Sequence, residues 1–195
     1  MKRTITILLA LIMVLSLAAC GGGSQTTSTH EPTPEPKKEY HPYYEDFSWG
    51  TSYDDIVAKL KGRGFKHEKD ESIAKKSSDK VFTVDPTWGT IRCYNAEYLD
   101  KYAASLEFSY PSNQEKKELW YTFVTLNEEI TLREYDELEK TLSEMFGEPS
   151  ATDSNSYYQK MTDWRPTGGF VRLLYHGNDF MGTVEIHYHS PSMHM

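Results

Sequence analysis

Two stretches of the chain have the apolar spacing of amphipathic helices. After Ser52, four apolar residues recur at intervals of three and four positions and would share one helical face: Tyr53, Ile56, Val57 and Leu60. Ser52 is followed by acidic residues, which is typical of a capped helix N-terminus. Gly62 and Gly64 indicate where this first helix ends.

The second helix pattern has the stronger local signals. Thr131 and Glu134 have the spacing of a capping box, and Ile130 and Tyr135 have the spacing of a hydrophobic staple. Gly147 indicates the end of the helix. The predicted inner face carries Leu132, Tyr135, Leu138, Leu142, Met145 and Phe146.

The remaining apolar residues are spaced as in β-strands. In the clearest case, Leu106 and Phe108 alternate with Ser105 and Glu107, so one side of the strand is apolar and the other polar. Residues 66–80 form a polar stretch in which no element is predicted. Strands are predicted at residues 81–84, 91–98, 102–110, 119–126, 157–164, 170–175 and 183–189.

The order of these elements predicts an α+β fold. Each helix is followed by a set of strands joined by short turns, which favours an antiparallel sheet with two helices packed on one face. The order is helix, strands, helix, strands, and it suggests tandem αβββ-like units. The predicted organisation is a leader at residues 1–19, a tether at 20–42, one domain at 43–190 and a frayed C-terminus at 191–195.

The first twenty residues have the features of a bacterial export signal. Lys2 and Arg3 precede an apolar run that is too short to span a bilayer comfortably. The run ends in Leu17-Ala18-Ala19-Cys20, which resembles the lipobox of bacterial lipoproteins. That resemblance implies cleavage before Cys20 and attachment of diacylglycerol to its thiol, with further acylation such as palmitate. The expected location is the extracytoplasmic face of the cell membrane.

Lipidation of Cys20 would change the cysteine chemistry of the chain. The sequence contains two cysteines, so Cys93 would be the only remaining thiol and no intramolecular disulfide is expected. The tether that follows Cys20 is rich in Gly, Ser, Thr and Pro, which is typical of a spacer. The domain would therefore depend on its apolar core for stability, and Cys93 is expected to be a buried residue of that core.

The charge balance excludes one class of partner. Removal of Lys2 and Arg3 with the leader lowers the basic residues from 21 to 19 against 29 acidic ones, a net charge of −10. Nucleic acid requires a basic surface, so no nucleic-acid partner is expected.

A second resemblance concerns the domain itself. The stretch from Phe47 to Ile56, with Trp49-Gly50 near its start, resembles the opening of small uncharacterised lipoproteins of Gram-positive bacteria, and Phe146-Gly147-Glu148-Pro149 resembles their later helix end. The pattern is also similar to modules with the β-lactamase-inhibitor-protein-like fold. The resemblance implies a binding or scaffolding role and carries no set of functional residues.

The sequence gives little support for catalysis. It contains no H-E-x-x-H, G-x-S-x-G, P-loop, G-x-G-x-x-G or EF-hand pattern. Acidic residues of the second helix are interpreted as its solvated side, with Glu137 near Lys140, although paired carboxylates remain an alternative: Asp136, Glu137, Glu139 and Glu144. No cofactor is expected.

Four residues are candidates for ligand contact. Trp88 and Trp164 lie in or beside predicted turns and are candidate exposed platforms for a sugar ring or peptide, while burial in the core is the alternative. His187 and His189 share one side of a strand near Met193-His194-Met195, a combination that suits copper. The alternative is an exposed strand face with a frayed terminus.

These observations predict a membrane-anchored extracytoplasmic lipoprotein that acts as a binding domain. Its ligand could be a protein, a peptide or a wall glycan. The alternatives are a cell-envelope enzyme with an unidentified carboxylate site and a structural accessory of a membrane complex.

Overall fold

A computed structural model describes residues 40–87, 89–111, 117–178 and 180–194, with side chains up to Ser192. The predicted leader, Cys20, most of the predicted tether and Trp88 lie outside the described residues. Within the described part of the chain, no helix has both the length and the apolar character needed to cross a membrane.

Nine strands form one sheet in the described residues, in the order β1-β2-β3-β4-β5-β9-β8-β7-β6. The central strands β5 and β9 pair in antiparallel orientation. Strands β4 to β1 follow β5 towards one edge of the sheet, and strands β8 to β6 follow β9 towards the other edge. The strands are β1 (Lys66–His67), β2 (Val81–Asp85), β3 (Thr90–Tyr98), β4 (Tyr102–Ser109), β5 (Tyr121–Leu126), β6 (Ala151–Asp153), β7 (Lys160–Trp164), β8 (Phe170–Gly177) and β9 (Gly182–His189).

The helices include α1 (Tyr53–Gly62), α2 (Glu71–Ala74) and α3 (Leu132–Phe146), and a 3₁₀ helix spans Pro191–His194. The sequence-based helix starts are confirmed. Ser52 caps α1 by accepting a hydrogen bond from the backbone N–H of Asp55, and Thr131 and Glu134 form the predicted capping box of α3. Each cap satisfies N–H groups that a helix start otherwise leaves without partners.

One buried cluster contains the apolar side chains of α1, α3 and the strands. Ile56 and Leu60 of α1 and Leu138 and Leu142 of α3 belong to it. On β4, β5 and β9 the buried residues alternate along the strand as predicted, whereas β2, β7 and β8 bury consecutive residues. The cluster includes Cys93, Ala104, Leu106, Phe108, Val124, Leu126, Val171, Leu173, Tyr175, Val184, Ile186 and Tyr188.

The broad α+β prediction fits, but the molecule is mostly β and its sheet is mixed. The short strand β1 pairs with β2 in parallel, so the prediction of a wholly antiparallel sheet is wrong. Strand β1 and helix α2 both lie in residues 66–80, where no element was expected, and they interrupt the predicted order of helix, strands, helix, strands. Elements of two and four residues are too short to show a hydrophobic period.

Candidate ligand-binding face

The two faces of the sheet differ in character. Along β4, Leu106 and Phe108 are buried in the core cluster, whereas Ser105 and Glu107 point to the other side and are only half-buried. We call the side that carries the core cluster the core face. The opposite side, which carries Ser105, Glu107 and their cross-strand neighbours, is the open face. Such a division follows from the alternation of side chains along a strand.

A single row of residues crosses the middle of the open face. Each member lies directly opposite the next on the neighbouring strand, over β3, β4, β5, β9, β8 and β7 in turn. This central row consists of Arg92, Glu107, Phe123, His187, Arg172 and Asp163. Directly opposite residues are close enough for their side chains to interact, so the row is a continuous line of cross-strand neighbours across the sheet.

Both ends of the central row are ion pairs. Arg92 donates from Nε to Glu107 Oε2 at 2.8 Å, and Arg172 donates from Nε and a terminal nitrogen to the two oxygens of Asp163 at 2.7 and 2.9 Å. The hydrogen bonds to these carboxylates raise the pKa of Arg92 and the pKa of Arg172. The Asp163 side chain is only 7% exposed. Its ion pair with Arg172 therefore offsets part of the free-energy cost of burying its charge.

Aromatic and imidazole rings fill the middle of the face. Phe123 and His187 meet edge to face with ring centroids 4.7 Å apart. In the next row along the strands, Tyr121 contacts His189 at 4.8 Å, and His189 contacts Phe170 at 5.3 Å. These rings pack against one another, so the centre of the face is an aromatic surface whose members are half-buried, apart from the buried Phe170.

A hydrogen-bonded chain ties the two central strands together. The His187 imidazole contacts Tyr121 Oη through Nδ1 at 3.1 Å and Glu185 Oε2 through Nε2 at 3.3 Å. His176 contacts the same Glu185 oxygen at 3.2 Å. The hydrogen bond from His187, followed by the electrostatic interaction with His176, lowers the pKa of Glu185.

This chain has the order of a carboxylate–imidazole–hydroxyl relay, yet its hydroxyl is unsuited to nucleophilic chemistry. Burial raises the pKa of Tyr121 well above its ordinary value, and the charges of Glu107 and Glu185 raise it further. A phenol in this state stays protonated, whereas an activated nucleophile needs a lowered pKa or an effective base. The arrangement is therefore better suited to donating and accepting hydrogen bonds than to attacking a substrate.

A groove lies on the open face beside Phe123. It has a volume of about 430 Å³ and runs between β5 and α2. Its floor is low because Ser105 and Thr125, which are opposite each other, have short side chains. Glu71 of α2 forms part of the rim and accepts a hydrogen bond from Tyr94 Oη at 3.0 Å.

The expectation that Trp164 is an exposed platform is wrong. The side chain is 0% exposed and its Nε1 donates to Ser143 Oγ of α3 at 3.3 Å. Trp164 alternates with Asp163 and lies opposite Val171, so it points to the core face. The adjacent turn residues Pro166 and Gly168 suggested exposure, but the strand period decides the orientation.

His187 and His189 do lie together on the open face, with ring centroids 6.0 Å apart. Both ring nitrogens of His187 already contact protein groups, Tyr121 and Glu185. No set of three or more His, Cys, Asp or Glu residues in the described part of the chain has a metal-holding arrangement. Metal binding at His187 and His189 stays a prediction. Nothing is described of the Met193 and His194 side chains, or of Met195.

The acidic residues of α3 serve more than one purpose. Glu139 is 18% exposed, accepts from Lys160 Nζ at 2.6 Å and accepts from Thr162 Oγ1 at 2.8 Å. Asp136 accepts from the same ammonium at 2.8 Å, while Glu137 pairs with Arg133 one turn earlier. The interpretation of these acidic residues as a solvated side is thus wrong for Glu139, whose contacts with Lys160 and Thr162 connect α3 to β7.

Sequence reasoning missed the central row apart from His187. Arg92 and Glu107 are far from Phe123 and Arg172 in the chain, and only the register of the sheet makes them neighbours. Comparison with known proteins does not identify a site: no protein-family model, no curated protein and no solved structure matches the chain.

Proposed function

We propose that the chain is a lipid-anchored extracytoplasmic binding domain and that its ligand lies on the open face of the sheet. The observation that carries the proposal is the central row, where packed rings lie between two ion pairs and every member except the buried Asp163 is half-buried. Placement outside the membrane rests on the lipobox pattern Leu17-Ala18-Ala19-Cys20. The resemblance to small Gram-positive lipoproteins, with a β-lactamase-inhibitor-protein-like domain, is part of the same proposal.

The proposal includes an arrangement of two α+β units. One unit would combine α1 with β2–β5, the other α3 with β6–β9, and the two would join where β5 pairs with β9. Both helices would then cover the core face, since their buried residues belong to the same cluster. Helices on that side leave the middle of the other side available to a ligand.

Binding is favoured over catalysis by the state of the polar groups. In the central row each carboxylate is paired with an arginine, and Glu185 is engaged by two imidazoles. A general acid would need a raised carboxyl pKa, whereas the pKa of Glu185 is lowered. The enzyme and the structural accessory remain the rival functions.

Anchoring is tested by Cys20→Ser. The substitution removes the thiol that would carry the lipid, so the protein should leave the membrane fraction or accumulate as uncleaved precursor. Cys93→Ser is the matched control, because Cys93 is buried in the core cluster, and it should leave fractionation unchanged. Normal processing and membrane retention of the Cys20→Ser protein would contradict the anchor.

The binding face is tested by photo-crosslinking in intact cells. A benzoylphenylalanine residue would replace Phe123 on the open face and, as a matched control, Phe180, which is 80% exposed in the connection between β8 and β9. The full lipidated chain should form an adduct from position 123 and none from position 180. Equal adducts from the two positions, or none from position 123, would contradict ligand binding on this face.

A further inference from the structure

We infer that the ligand of the open face is an uncharged glycan chain lying along the central row, across the strands. This inference rests on the proposed function and adds the chemical class and direction of the ligand. It is carried by three properties of the face: its balanced charge, its mixture of donors with acceptors, and its length.

The charge of the central row is balanced. Arg92 and Arg172 contribute two positive charges, and Glu107 and Asp163 contribute two negative ones, each in contact with its opposite. Beside the row, Glu71 approaches Arg92 at 3.6 Å, and its charge is balanced by Lys75 at 2.8 Å. An anionic polymer would meet these arginines only by displacing their carboxylates, in a chain whose formal net charge is −8. Electrostatic recruitment of charged ligands requires an excess of one sign, so an uncharged ligand suits the row best.

The hydrogen-bonding groups of the face match hydroxyl chemistry. A sugar hydroxyl both donates and accepts, and it is best met by fixed donors and acceptors placed side by side. Arg92 and Glu107 supply such a pair at the groove. Thr125 adds a hydroxyl on the groove floor, and Ser105 adds an acceptor oxygen, since its hydroxyl donates to Asn127 Oδ1 at 2.8 Å. Phe123 on the groove wall offers an aromatic surface against which the C–H groups of a sugar ring can pack.

The dimensions favour a polymer over a single small molecule. Strands lie about 4.8 Å apart, so the row from β3 to β7 crosses five strand intervals and extends for about 24 Å. The groove of about 430 Å³ occupies one end of this line. A linear glycan could fill the groove with one part and follow the rings of Phe123 and His187 with the next.

A peptide strand is a poorer occupant. Extended peptides are held best by pairing with a sheet edge, where backbone hydrogen bonds supply the affinity. The edge strands of this sheet, β1 and β6, have two and three residues, and short edges pair badly with another chain. On the open face the strands already bond to each other, so a peptide backbone would have only side chains to bind.

The test measures binding of the full chain, in detergent micelles, to neutral linear hexasaccharides of glucose, mannose, galactose and N-acetylglucosamine by isothermal titration calorimetry. At least one should bind, and Phe123→Ala should weaken it about three- to tenfold, the scale expected when an aromatic contact is removed. Phe180→Ala should change the affinity less than about twofold, because Phe180 lies off the row. Affinity should also stay within about twofold between about 50 and 500 mM salt, since the ligand is uncharged.

Several results would overturn the glycan inference. These are no heat with any of the four hexasaccharides, binding that Phe123→Ala leaves unchanged, or a steep loss of affinity with salt. If an adduct still forms from position 123 in cells and mass spectrometry of its tryptic digest identifies a foreign peptide joined to that position, the open face binds a polypeptide and the proposed function stands without the glycan. If no adduct forms from position 123 either, both the inference and the proposed function fall.

Discussion

The two faces of one sheet use the same strands for different purposes. On β4, Phe108 packs into the core with its ring centroid 4.7 Å from that of Phe47, while the neighbouring Glu107 faces the other way and holds Arg92. The core face contains apolar residues that touch in three dimensions, and the open face contains polar residues and rings arranged in rows. The difference indicates that stability should depend on the core face and ligand contact on the open face.

The largest effect is expected from a pair of matched substitutions. Phe108→Ala should lower the free energy of unfolding by about 3–5 kcal/mol, because it leaves a cavity in a fully buried site. Phe123→Ala should lower it by only about 1 kcal/mol, since the ring is half-buried on the open face. Urea unfolding followed by circular dichroism measures both. Equal losses would contradict the claim that stability depends mainly on the core face.

The next largest effect concerns the ion pairs at the two ends of the central row, which should contribute differently to the free energy of unfolding. Arg172→Met should lower the free energy of unfolding by about 2 kcal/mol, because the buried Asp163 loses its partner while some solvent reaches the site. Arg92→Met should cost less than about 1 kcal/mol, since Glu107 remains partly hydrated.

A double-mutant cycle with Asp163→Asn isolates the stronger pair. The double variant with Arg172→Met should be less destabilised than the sum of the two single variants, because no unpaired buried charge is left. Additive losses would mean that Arg172 and Asp163 are not coupled. The same cycle with Glu107→Gln and Arg92→Met provides the comparison for the exposed end.

The smallest expected effect is a pH dependence on the open face. The folded-state pKa of Glu185 is lowered by His187 and His176, so its contribution to stability is present above the ordinary glutamate pKa and is lost as the pH falls through the lowered value. Glu185→Gln should remove this part of the acid-induced loss, which is below about 1 kcal/mol for a partly solvated group. Urea midpoints of the wild-type and Glu185→Gln proteins between about pH 3 and 7 measure this difference. Identical pH profiles for the two proteins would refute a contribution of Glu185 to the acid-induced loss.

The predictable part of the fold is the part encoded by local signals. The caps at Ser52 and Thr131 and the periods of α1 and α3 lie within single stretches of sequence, and the structure confirms them. The segments β1, α2 and β6 contain only a few residues each and are stabilised by their neighbours. No local sequence pattern therefore predicted them. Trp164 shows a different limit, because the predicted strand already ended there, but the face to which its side chain points follows from its pairing with Val171 on β8.

The candidate site was less predictable than the fold because it depends on register. His187 was recognised as a face residue from its spacing to His189, but its position between Phe123 and Arg172 requires β9 to lie between β5 and β8. Residues about 60 positions apart in the chain become direct neighbours there. Cross-strand pairs of this kind cannot be read from one sequence, since a shift of one residue would move every member to the other face.

Hydroxyl-radical footprinting of the full chain tests the division between the two faces most directly, because it needs no substitution and no knowledge of the ligand. Oxidation of Tyr121, Phe123 and His187 would be compared by mass spectrometry in intact cells and in the purified chain. Tyr157, which is 85% exposed, serves as the reference away from the central row. We expect the three open-face residues to be oxidised several-fold less in cells while Tyr157 is unchanged. Equal oxidation of the open-face residues in both preparations would contradict a ligand on that face.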